Sequence, residues 1–437
     1  HGQEGGNLMK LLLKNTILVN ADGQTNCNIL IENDKISQIG SQLKLDQAEG
    51  ETRDLKGCLV FPGFIDMHVH LREPGQEAKE TLLTGLTAAV HGGITAVCSM
   101  PNTTPVIDNE VFVKFLIDKA WEIGKARLYP IGSITKGSNG LELSEMVSMI
   151  RAGAVSFSDD GHPVEDMQVL RRALQYIQPY NKPLILHCEN HALSNGGVMN
   201  EGRLSTVLGL AGIHRSSEET SIAQSIEVAR YFGRIHIAHV STKGSVELIR
   251  LAKQRAIPVT AETAPHYFSL TEESIGSYNT NAKMNPPLRT EEDRRALIEG
   301  LRDGTIDAIA TDHAPHTVDD KNREFDLAAF GIIGLETAVM LTFQKLFHEE
   351  GFPLERITRL WSTEPSAILG LNSGHIAPGT TADLTIVSPD KLWTIEHGQF
   401  LSKSKNSPFV GLSGKGRAVM TLVRGEIVWE EKQGSSQ

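Results

Sequence analysis

Short apolar runs that alternate with helix-length segments limit the folds open to this chain more than any other feature. Eight such runs begin after residue 58, and most are followed by a helical pattern such as Lys79–His91 or Glu219–Phe232. Eight strand–helix units over roughly 250 residues are what a (β/α)8 barrel requires, although a doubly wound sheet gives similar alternation. The predicted strands are Leu59–Ile65, Ile94–Ser99, Arg127–Ile131, Ala154–Phe157, Pro183–Leu186, Ile235–Val240, Ile257–Ala261 and Ile306–Ala310.

Both ends of the chain are β-like. The predicted strands are Lys10–Asn20, Cys27–Asn33, Lys35–Gly40, Ala382–Val387 and the hairpin Ala418–Trp429. Two β-rich ends that flank a barrel predict one small β-sandwich domain built from both termini. The predicted domains are residues 9–57 with 373–437 for the β-domain and residues 58–372 for the TIM-type barrel. Residues 1–8 are interpreted as a tag remnant before a native start at Met9.

Composition excludes several classes of protein. With 42 basic and 53 acidic residues the formal net charge is −11, which does not suit a nucleic-acid binder. No apolar stretch approaches the 18 residues of a membrane span, and no secretion signal is evident, so a cytoplasmic protein is predicted. The four cysteines fall singly, which indicates neither a disulfide framework nor a thiolate zinc site.

Potential metal ligands follow the predicted strands. His68 and His70 are two residues apart, so in extended backbone both imidazoles point to one side. At a barrel's carboxyl-terminal rim, four imidazoles and two carboxylates suit a pair of divalent ions, one carboxylate bridging them. Two such ions, the two carboxylates and a bridging hydroxide together carry a net charge of about +1, which favours an anionic substrate. The bridging hydroxide would be a ready nucleophile, which favours hydrolysis. The further candidates are the Asp159-Asp160 pair, His187, His239 and Asp312.

Longer motifs extend this pattern. The string GFIDMHVHLREPGQEAKET resembles the opening of class I dihydroorotases within the metal-dependent amidohydrolases. HxH is shared by the whole superfamily, whereas HLREPG, MPNTTP and DHAPH together are far more specific. The similarity runs from about Leu12 to the C-terminal hairpin. The other motifs, in family order, are SFSDDG, HCEN, HVSTKGS, KMNPPLR and ATDHAPH.

The resemblance implies two zinc ions per chain. His68, His70 and Asp312 would hold one ion, His187 and His239 the other, and Asp160 would bridge them. Many superfamily members bridge instead with a carboxylated lysine, but no lysine occurs between Lys136 and Lys182. Asp312 would also carry the proton during catalysis.

The resemblance also implies a substrate site. Arg72, Asn102, Asn285 and His316 would bind the substrate carboxylate and ring, and backbone groups around Phe330 and Gly331 would complete the pocket. The arginine fork can hold a carboxylate bidentately. Family members often read Pro-Phe-Gly where this chain reads Ala-Phe-Gly at residues 329–331, which would loosen the loop backbone.

Several residues have a second interpretation. Asp159 would be the bridge if the fourth strand ended one residue earlier. Asp66 is expected to support the site without ligating metal, and His236 to pack within its strand. For His313 a structural and a functional role are both open. The charged segment Thr317–Leu327 is either a solvated loop or a lid that excludes water.

The implied reaction is the reversible cyclisation of N-carbamoyl-L-aspartate to (S)-dihydroorotate in pyrimidine biosynthesis. The resemblance further implies a homodimer and, as in some members, association with aspartate carbamoyltransferase. Two alternatives remain open. Another cyclic amidase, a hydantoinase or allantoinase, would share the metal ligands but not the arginine of HLREPG. A non-catalytic scaffold homologue would be expected to have lost metal ligands, and all six positions are filled.

Overall fold

The computed structural model describes residues 10–432, in which eight parallel strands form a barrel. Each strand pairs with the next in chain order, and a parallel bridge between Val69 and His313 joins the first strand to the segment after the eighth. This closure confirms the (β/α)8 fold and excludes the doubly wound sheet. The barrel strands are Phe64–Val69, Ile94–Ser99, Arg127–Gly132, Ser156–Phe157, Leu184–Leu186, Ile235–Ile237, Val259–Thr263 and Ala308–Ile309.

Helices follow the barrel strands and cover them. Seven long helices precede the eighth strand: Leu82–His91, Glu110–Ile123, Met146–Ala152, Met167–Ile177, Ser216–Phe232, Lys243–Gln254 and Glu291–Asp303. After the eighth strand the helices alternate α and π geometry as Ala338–Thr342, Phe343–Glu349, Leu354–Thr358, Arg359–Thr363 and Glu364–Leu369. Shorter elements within loops are Lys136–Ser138, Gln178–Tyr180, His191–Ser194, Arg203–Leu208, Pro265–Ser269, Glu272–Ile275, Thr280–Ala282, Val318–Lys321 and His397–Gln399.

Local sequence signals set where several of these helices begin. Thr81 and Thr290 each accept a hydrogen bond from the third amide of the following helix, within a capping box. Asn109 and Thr242 cap the helices that start at Glu110 and Lys243. Each cap satisfies amide groups that the first helical turn leaves free. The chain therefore turns into a helix soon after it leaves the rim of the barrel.

Both ends of the chain build a second sheet of eight strands. The long strand Lys10–Asn20 pairs with Gly23–Glu32 along one edge and with two short parallel strands along the other. The run Leu59–Ile65, predicted as one barrel strand, is divided: Leu59–Pro62 pairs with terminal strands, and the barrel begins at Phe64. The strands of this sheet are Lys10–Asn20, Gly23–Glu32, Lys35–Gly40, Glu51–Asp54, Leu59–Pro62, Leu384–Thr394, Ser413–Val423 and Glu426–Glu430.

The terminal sheet has its own apolar core and is tied to the barrel by polar contacts. The Thr385 hydroxyl donates to the Gly93 carbonyl at 2.6 Å and accepts from the Phe64 amide at 3.1 Å. Arg127 and Asp383 form an ion pair at 2.6 Å across the same junction. These contacts place the start of the first barrel strand against the terminal sheet. The core of that sheet includes Leu11, Leu13, Ile29, Ile31, Leu384 and Leu422.

Three long connections rise from the carboxyl ends of the fifth, seventh and eighth strands. The first contains a small parallel pair, Met199–Asn200 with Gly212–Ile213.

The four cysteines are unpaired, three of them buried and Cys58 half-buried. Among residues 10–432, no helix combines the length and apolar character needed to cross a membrane. Residues 1–8, interpreted as a tag remnant, and Met9 lie outside the described part of the chain.

Candidate metal centre

The six predicted metal ligands lie together at the carboxyl ends of the barrel strands. All six side chains are buried, although they are separated by up to 244 positions in the sequence. Parallel strands of a barrel deliver their carboxyl ends to one rim, which is why residues so distant in sequence meet. The ligands are His68 in the first strand, His70 just after it, Asp160 after the fourth, His187 after the fifth, His239 after the sixth and Asp312 after the eighth.

Asp160 lies at the centre of the cluster. Its Oδ1 is 3.4 Å from Nε2 of His68, 3.6 Å from Nε2 of His239 and 3.8 Å from Nδ1 of His187. Its Oδ2 is 3.4 Å from Nε2 of His70. A carboxylate whose two oxygens face different imidazoles has the arrangement that a bridging ligand needs. The other aspartate of the SFSDD motif does not take this position.

Asp312 occupies the opposite side of the first imidazole pair. Its Oδ1 is 3.2 Å from Nε2 of His70 and 3.6 Å from Nε2 of His68. Asp312 and His239 both adopt left-handed backbone conformations, with φ of 48° and 35°. Such conformations are unfavourable for residues with a side chain and are concentrated at functional sites. The backbone is thus bent to turn both side chains into the cluster.

Glu262, at the end of the seventh strand, orients His68 by contacting the ring nitrogen that does not face Asp160. Its Oε1 is 3.0 Å from Nδ1 of His68, and its Oε2 is 3.1 Å from Nε2 of His236. Nδ1 of His236 is in turn 2.8 Å from the hydroxyl of Thr260. Burial raises the pKa of Glu262, but hydrogen bonds from the two imidazoles outweigh it and lower the pKa to about 2. The charged carboxylate only accepts, so both imidazoles donate to it.

The outer nitrogens of two more imidazoles are held in the same way. Nδ1 of His70 is 2.9 Å from Oδ1 of Asn102, and Nε2 of His187 is 3.0 Å from Oε2 of Glu189. Both partner oxygens are acceptors, so the protons lie on these outer nitrogens. The inner nitrogens, Nε2 of His70 and Nδ1 of His187, therefore face the cluster, where Nδ1 of His187 lies 2.9 Å from Nε2 of His239. A metal-binding histidine requires this tautomer.

The charges within the cluster fit a bound cation. Nε2 of His68 and Oδ1 of Asp160 are buried and have no hydrogen-bond partner among residues 10–432. Burial disfavours the charged form of both groups, yet their mutual attraction holds the pKa of His68 well above and that of Asp160 well below the usual range. Two sets of side chains here are arranged to hold an ion: His68, His70 and Asp312, and His68, Asp160 and His239. His187 lies beside the second set.

Arg72 and His316 lie next to each other beyond His70. Nη2 of Arg72 is 3.3 Å from Nε2 of His316, and its Nε donates to the carbonyl of Pro315 at 3.2 Å. Burial lowers the pKa of Arg72 to about 10, which leaves the guanidinium charged at neutral pH. Burial and the positive charge of Arg72 lower the pKa of His316 to about 3, so this imidazole is neutral. The pair offers a buried positive charge close to the metal ligands.

The remaining predicted substrate residues border the same space. Asn285 donates from Nδ2 to Oε2 of Glu189 at 2.9 Å. Phe330 lies over the ammonium group of Lys283, which is 4.4 Å from the ring centre. The Gly331 amide donates to the Lys283 carbonyl at 3.0 Å, and its own carbonyl accepts from Lys321 and Asn406. A substrate contact from the Gly331 backbone therefore requires exchange of these partners.

Two residues with a second interpretation now have a defined place. Oδ1 of Asp159 accepts from the amides of Ile134 and Thr135 at 2.8 and 3.1 Å, so Asp159 supports the segment after the third barrel strand and is not the bridge. Asp66 accepts from the Thr311 hydroxyl at 2.6 Å and ties the first strand to the end of the eighth.

Two histidines and a lysine outside the cluster make other contacts. His313 contacts Glu80 at 3.3 Å and accepts from the Gly334 amide at 3.1 Å. His236, expected only to pack within its strand, belongs to the Glu262 chain of hydrogen bonds. Lys136 forms a surface ion pair with Glu142 at 2.6 Å.

The charged segment after the eighth strand is anchored by a buried lysine. Lys321 donates from Nζ to the carbonyls of Ala329, Gly331 and Lys283 at 2.8, 3.0 and 3.3 Å. It also borders a cavity of about 270 Å³ beside His316. The segment Thr317–Leu327 is thus attached to the loop that carries Phe330 and Gly331, while most of its other side chains are exposed.

Sequence reasoning did not assign Glu189, Glu262 or Lys321 to the site. Glu189 is part of the HCEN motif, and Glu262 directly follows the seventh predicted strand, so their positions in the sequence could have identified both as candidates. Their partners identify their roles, and these partners are remote in the sequence. Lys321 carried no signal, because a lysine in a charged loop is ordinarily solvated.

The chain belongs to the amidohydrolase family, whose model matches residues 59–428. Its relatives include a dihydroorotase of Syntrophotalea carbinolica, 47% identical over 424 residues that cover 96% of this chain and 99% of the relative. A dihydroorotase of Syntrophus aciditrophicus is 45% identical and covers 97% of this chain and 100% of its own length. Among solved structures, an L-hydantoinase (dihydropyrimidinase) from Arthrobacter aurescens matches with a TM-score of 0.87 and 27% identity, covering 98% and 97% of the two chains.

Proposed function

We propose that this chain is a zinc-dependent cyclic amide hydrolase that interconverts N-carbamoyl-L-aspartate and (S)-dihydroorotate in pyrimidine biosynthesis. The observation that carries the proposal is the position of buried Arg72 and His316 directly beside six potential metal ligands. A hydrolytic centre with a neighbouring guanidinium suits a small ring that bears a carboxylate. The dihydroorotase names of relatives matched over nearly their full length support the same substrate.

The proposed metal assignment keeps the set of His68, His70 and Asp312, and in the set with Asp160 and His239 it replaces His68 by the neighbouring His187. His68, His70 and Asp312 would hold one zinc ion, His187 and His239 would hold the second, and Asp160 would bridge both. Zinc bound in this way would lower the pKa of a coordinated water towards neutrality and polarise an amide carbonyl. Outer partners already hold His68, His70 and His187 with their other ring nitrogen facing the cluster, which favours metal binding over structural packing.

The proposed roles of the other residues follow from their charges and donors. Arg72 pairs with the substrate carboxylate, and neutral His316 contributes a hydrogen bond beside it. Asn102 and Asn285 contact the ring. Asp312 accepts the proton of the attacking water and passes it to the ring nitrogen as the amide bond breaks. In the direction of ring closure the same carboxylate takes the proton from the ureido nitrogen.

A hydantoinase activity is the nearest alternative, because the fold is similar to that of the L-hydantoinase from Arthrobacter aurescens. Hydantoin carries no carboxylate, so such an enzyme has no need of a buried arginine at the position of Arg72. The carboxylate of dihydroorotate would pair with this guanidinium, whose contacts among residues 10–432 are hydrogen bonds and not ion pairs. A non-catalytic scaffold is disfavoured because all six ligand positions are filled and oriented.

The proposal includes the finer expectations drawn from the sequence. These are two zinc ions per chain, a cytoplasmic location, a homodimer and an association with aspartate carbamoyltransferase in the manner of some family members. Phe330 and Gly331 are proposed to close the substrate pocket. Thr317–Leu327 is proposed to act as a lid that excludes water, hinged on the anchor at Lys321.

The deciding experiment offers dihydroorotate, hydantoin and allantoin in parallel to protein of measured metal content. Turnover of dihydroorotate alone, lost on chelation and restored by zinc, is the expected result. Turnover of another ring would retain the hydrolytic centre and overturn the role of Arg72. Bound metal without turnover of any ring would favour the scaffold.

A further inference from the structure

Asn102 and Asn285 are chemically identical but are held in opposite orientations at the candidate site. Asn102 uses its carbonyl oxygen to accept from Nδ1 of His70 at 2.9 Å. Asn285 uses its amide nitrogen to donate to Oε2 of Glu189 at 2.9 Å. A charged carboxylate has no proton to donate, so Glu189 can bind Asn285 only through the amide nitrogen.

The side-chain groups that the two asparagines leave free for a substrate therefore also differ. Asn102 keeps its amide nitrogen, whose other partner is the Asp160 carbonyl at 3.5 Å, the outer limit of a hydrogen bond. Asn285 keeps its carbonyl oxygen, and within residues 10–432 no protein donor reaches it. One side chain thus presents a donor, and the other presents an acceptor.

Glu189 is itself fixed, so this orientation is built into the site. The same Oε2 that receives Asn285 also accepts from Nε2 of His187 at 3.0 Å. The Glu189 side chain is only 11% exposed, and solvent competes little for these bonds. A carboxylate held by two donors cannot turn away without leaving one of them unpaired, which is costly when buried.

Resting on the proposed function, we infer that Glu189 is a specificity-determining positioning residue. It fixes Asn285 as a hydrogen-bond acceptor, so the site selects rings with an N–H group directed at Asn285, while Asn102 donates to a substrate oxygen. Asn285 is half-buried, and a site built around such an acceptor disfavours analogues that lack the matching donor, because the acceptor is then left unpaired.

The Glu189→Ala variant tests this inference directly. Alanine removes the oxygen that accepts from Asn285, so the asparagine is free to turn and present its amide nitrogen to the substrate. We expect KM for dihydroorotate to rise about tenfold or more, as loss of one hydrogen bond implies. The turnover number should change less, and zinc per chain should stay the same.

The conservative Glu189→Gln variant provides the rescue. One oxygen of Glu189 accepts from both His187 and Asn285, and a glutamine oxygen in the same place can also accept from both. We therefore expect KM in Glu189→Gln to stay within roughly threefold of the parent, although the charge is lost. His191→Gln is the matched control, because exposed His191 lies 4.0 Å from Glu189 without bonding to Asn285.

The outcomes separate this inference from the proposed function. An active parent whose Glu189→Ala variant keeps its KM or loses zinc, or whose Glu189→Gln variant raises KM as far as Glu189→Ala does, overturns the inference alone. A parent that opens hydantoin instead of dihydroorotate overturns the proposed substrate, and the inference stands if Glu189→Ala raises KM for hydantoin. A parent that opens no ring overturns both.

Discussion

Glu262 lies 3.0 Å from His68 and fixes which nitrogen of that imidazole faces the metal site. Its second oxygen is occupied by His236, so both carboxylate oxygens are used, and all three side chains are buried. Because the carboxylate accepts from both rings, Nδ1 of His68 carries a proton, and Nε2 is the nitrogen that faces Asp160. A metal-binding histidine owes its tautomer and its basicity to such a partner.

Replacing Glu262 by glutamine should weaken metal binding. The glutamine side chain can accept from only one imidazole and must donate to the other, so either His68 or His236 changes tautomer. Changes of this kind cost about 10–100-fold in metal affinity. Competition with a coloured chelator measures zinc affinity without reference to activity.

The control for this variant is Glu336→Gln. Glu336 is also buried and also contacts a histidine, His91, but this pair lies outside the cluster of metal ligands. Its loss should lower the free energy of unfolding and leave zinc affinity unchanged. Equal zinc affinity in the parent and the Glu262→Gln variant would contradict the role assigned to Glu262.

Removal of the Arg72 side chain should separate substrate binding from metal binding. Arg72→Ala deletes the buried charge proposed to pair with the substrate carboxylate, and catalytic efficiency should fall roughly 10²–10³-fold. Zinc content should be unchanged, since Arg72 is not a ligand. Arg127→Ala, at the junction between the domains, is the control expected to retain kcat/KM. Undiminished efficiency in Arg72→Ala would exclude the carboxylate role.

The position of the reaction equilibrium should depend on pH. N-Carbamoyl-L-aspartate carries two negative charges and dihydroorotate one, so ring closure consumes a proton. Acidic solution should favour the ring, and alkaline solution the open form, by about tenfold per pH unit. The ratio of the two compounds at equilibrium, approached from both directions with the enzyme, measures this. A ratio independent of pH would rule out this pair of reactants.

His266 should make the protein less stable in acid. Burial lowers the pKa of this imidazole to about 4, below its unfolded value of 6.5. The unfolded chain therefore binds a proton that the folded chain does not, and stability falls as pH drops from 6.5 towards 4. By about pH 5 the loss is about 2 kcal/mol.

Comparison of parent and His266→Leu by denaturant unfolding isolates this contribution. The variant should lose less stability than the parent between pH 6.5 and about pH 5, because leucine binds no proton. Zinc release in acid affects both proteins and largely cancels in the difference. Parallel stability curves for the two proteins would show that His266 does not titrate in this way.

The anchor at Lys321 should control access to the loop after the eighth strand. Lys321→Met removes three hydrogen bonds to backbone carbonyls, so trypsin should cleave after exposed Arg323 about tenfold faster. Substrate should slow this cleavage if the segment is a lid. Lys345→Met, which removes a surface ion pair, is the control. If neither the variant nor the substrate changes the rate of cleavage, the segment is a solvated loop and not a lid.

The sequence by itself determined the barrel, the terminal sheet and which six potential metal ligands meet at one rim. Alternating apolar runs specify strand and helix locally, and residues that follow parallel strands must meet at one rim. The exact strand limits were less predictable: Leu59–Pro62 is as apolar as a barrel strand but pairs with the terminal sheet. The apolar composition of a strand indicates that it is buried, but it does not indicate which other strand it pairs with.

Only the tertiary structure decided how the site is held. The partner of His68 is Glu262, 194 positions away, and the partner of Asn285 is Glu189, 96 positions away. The same contacts fix the tautomers of the histidines and the opposite orientations of the two asparagines. Hydrogen bonding depends on distances of a few ångströms between side chains from different strands. Residue type sets what each group can donate or accept, and the fold sets which groups meet.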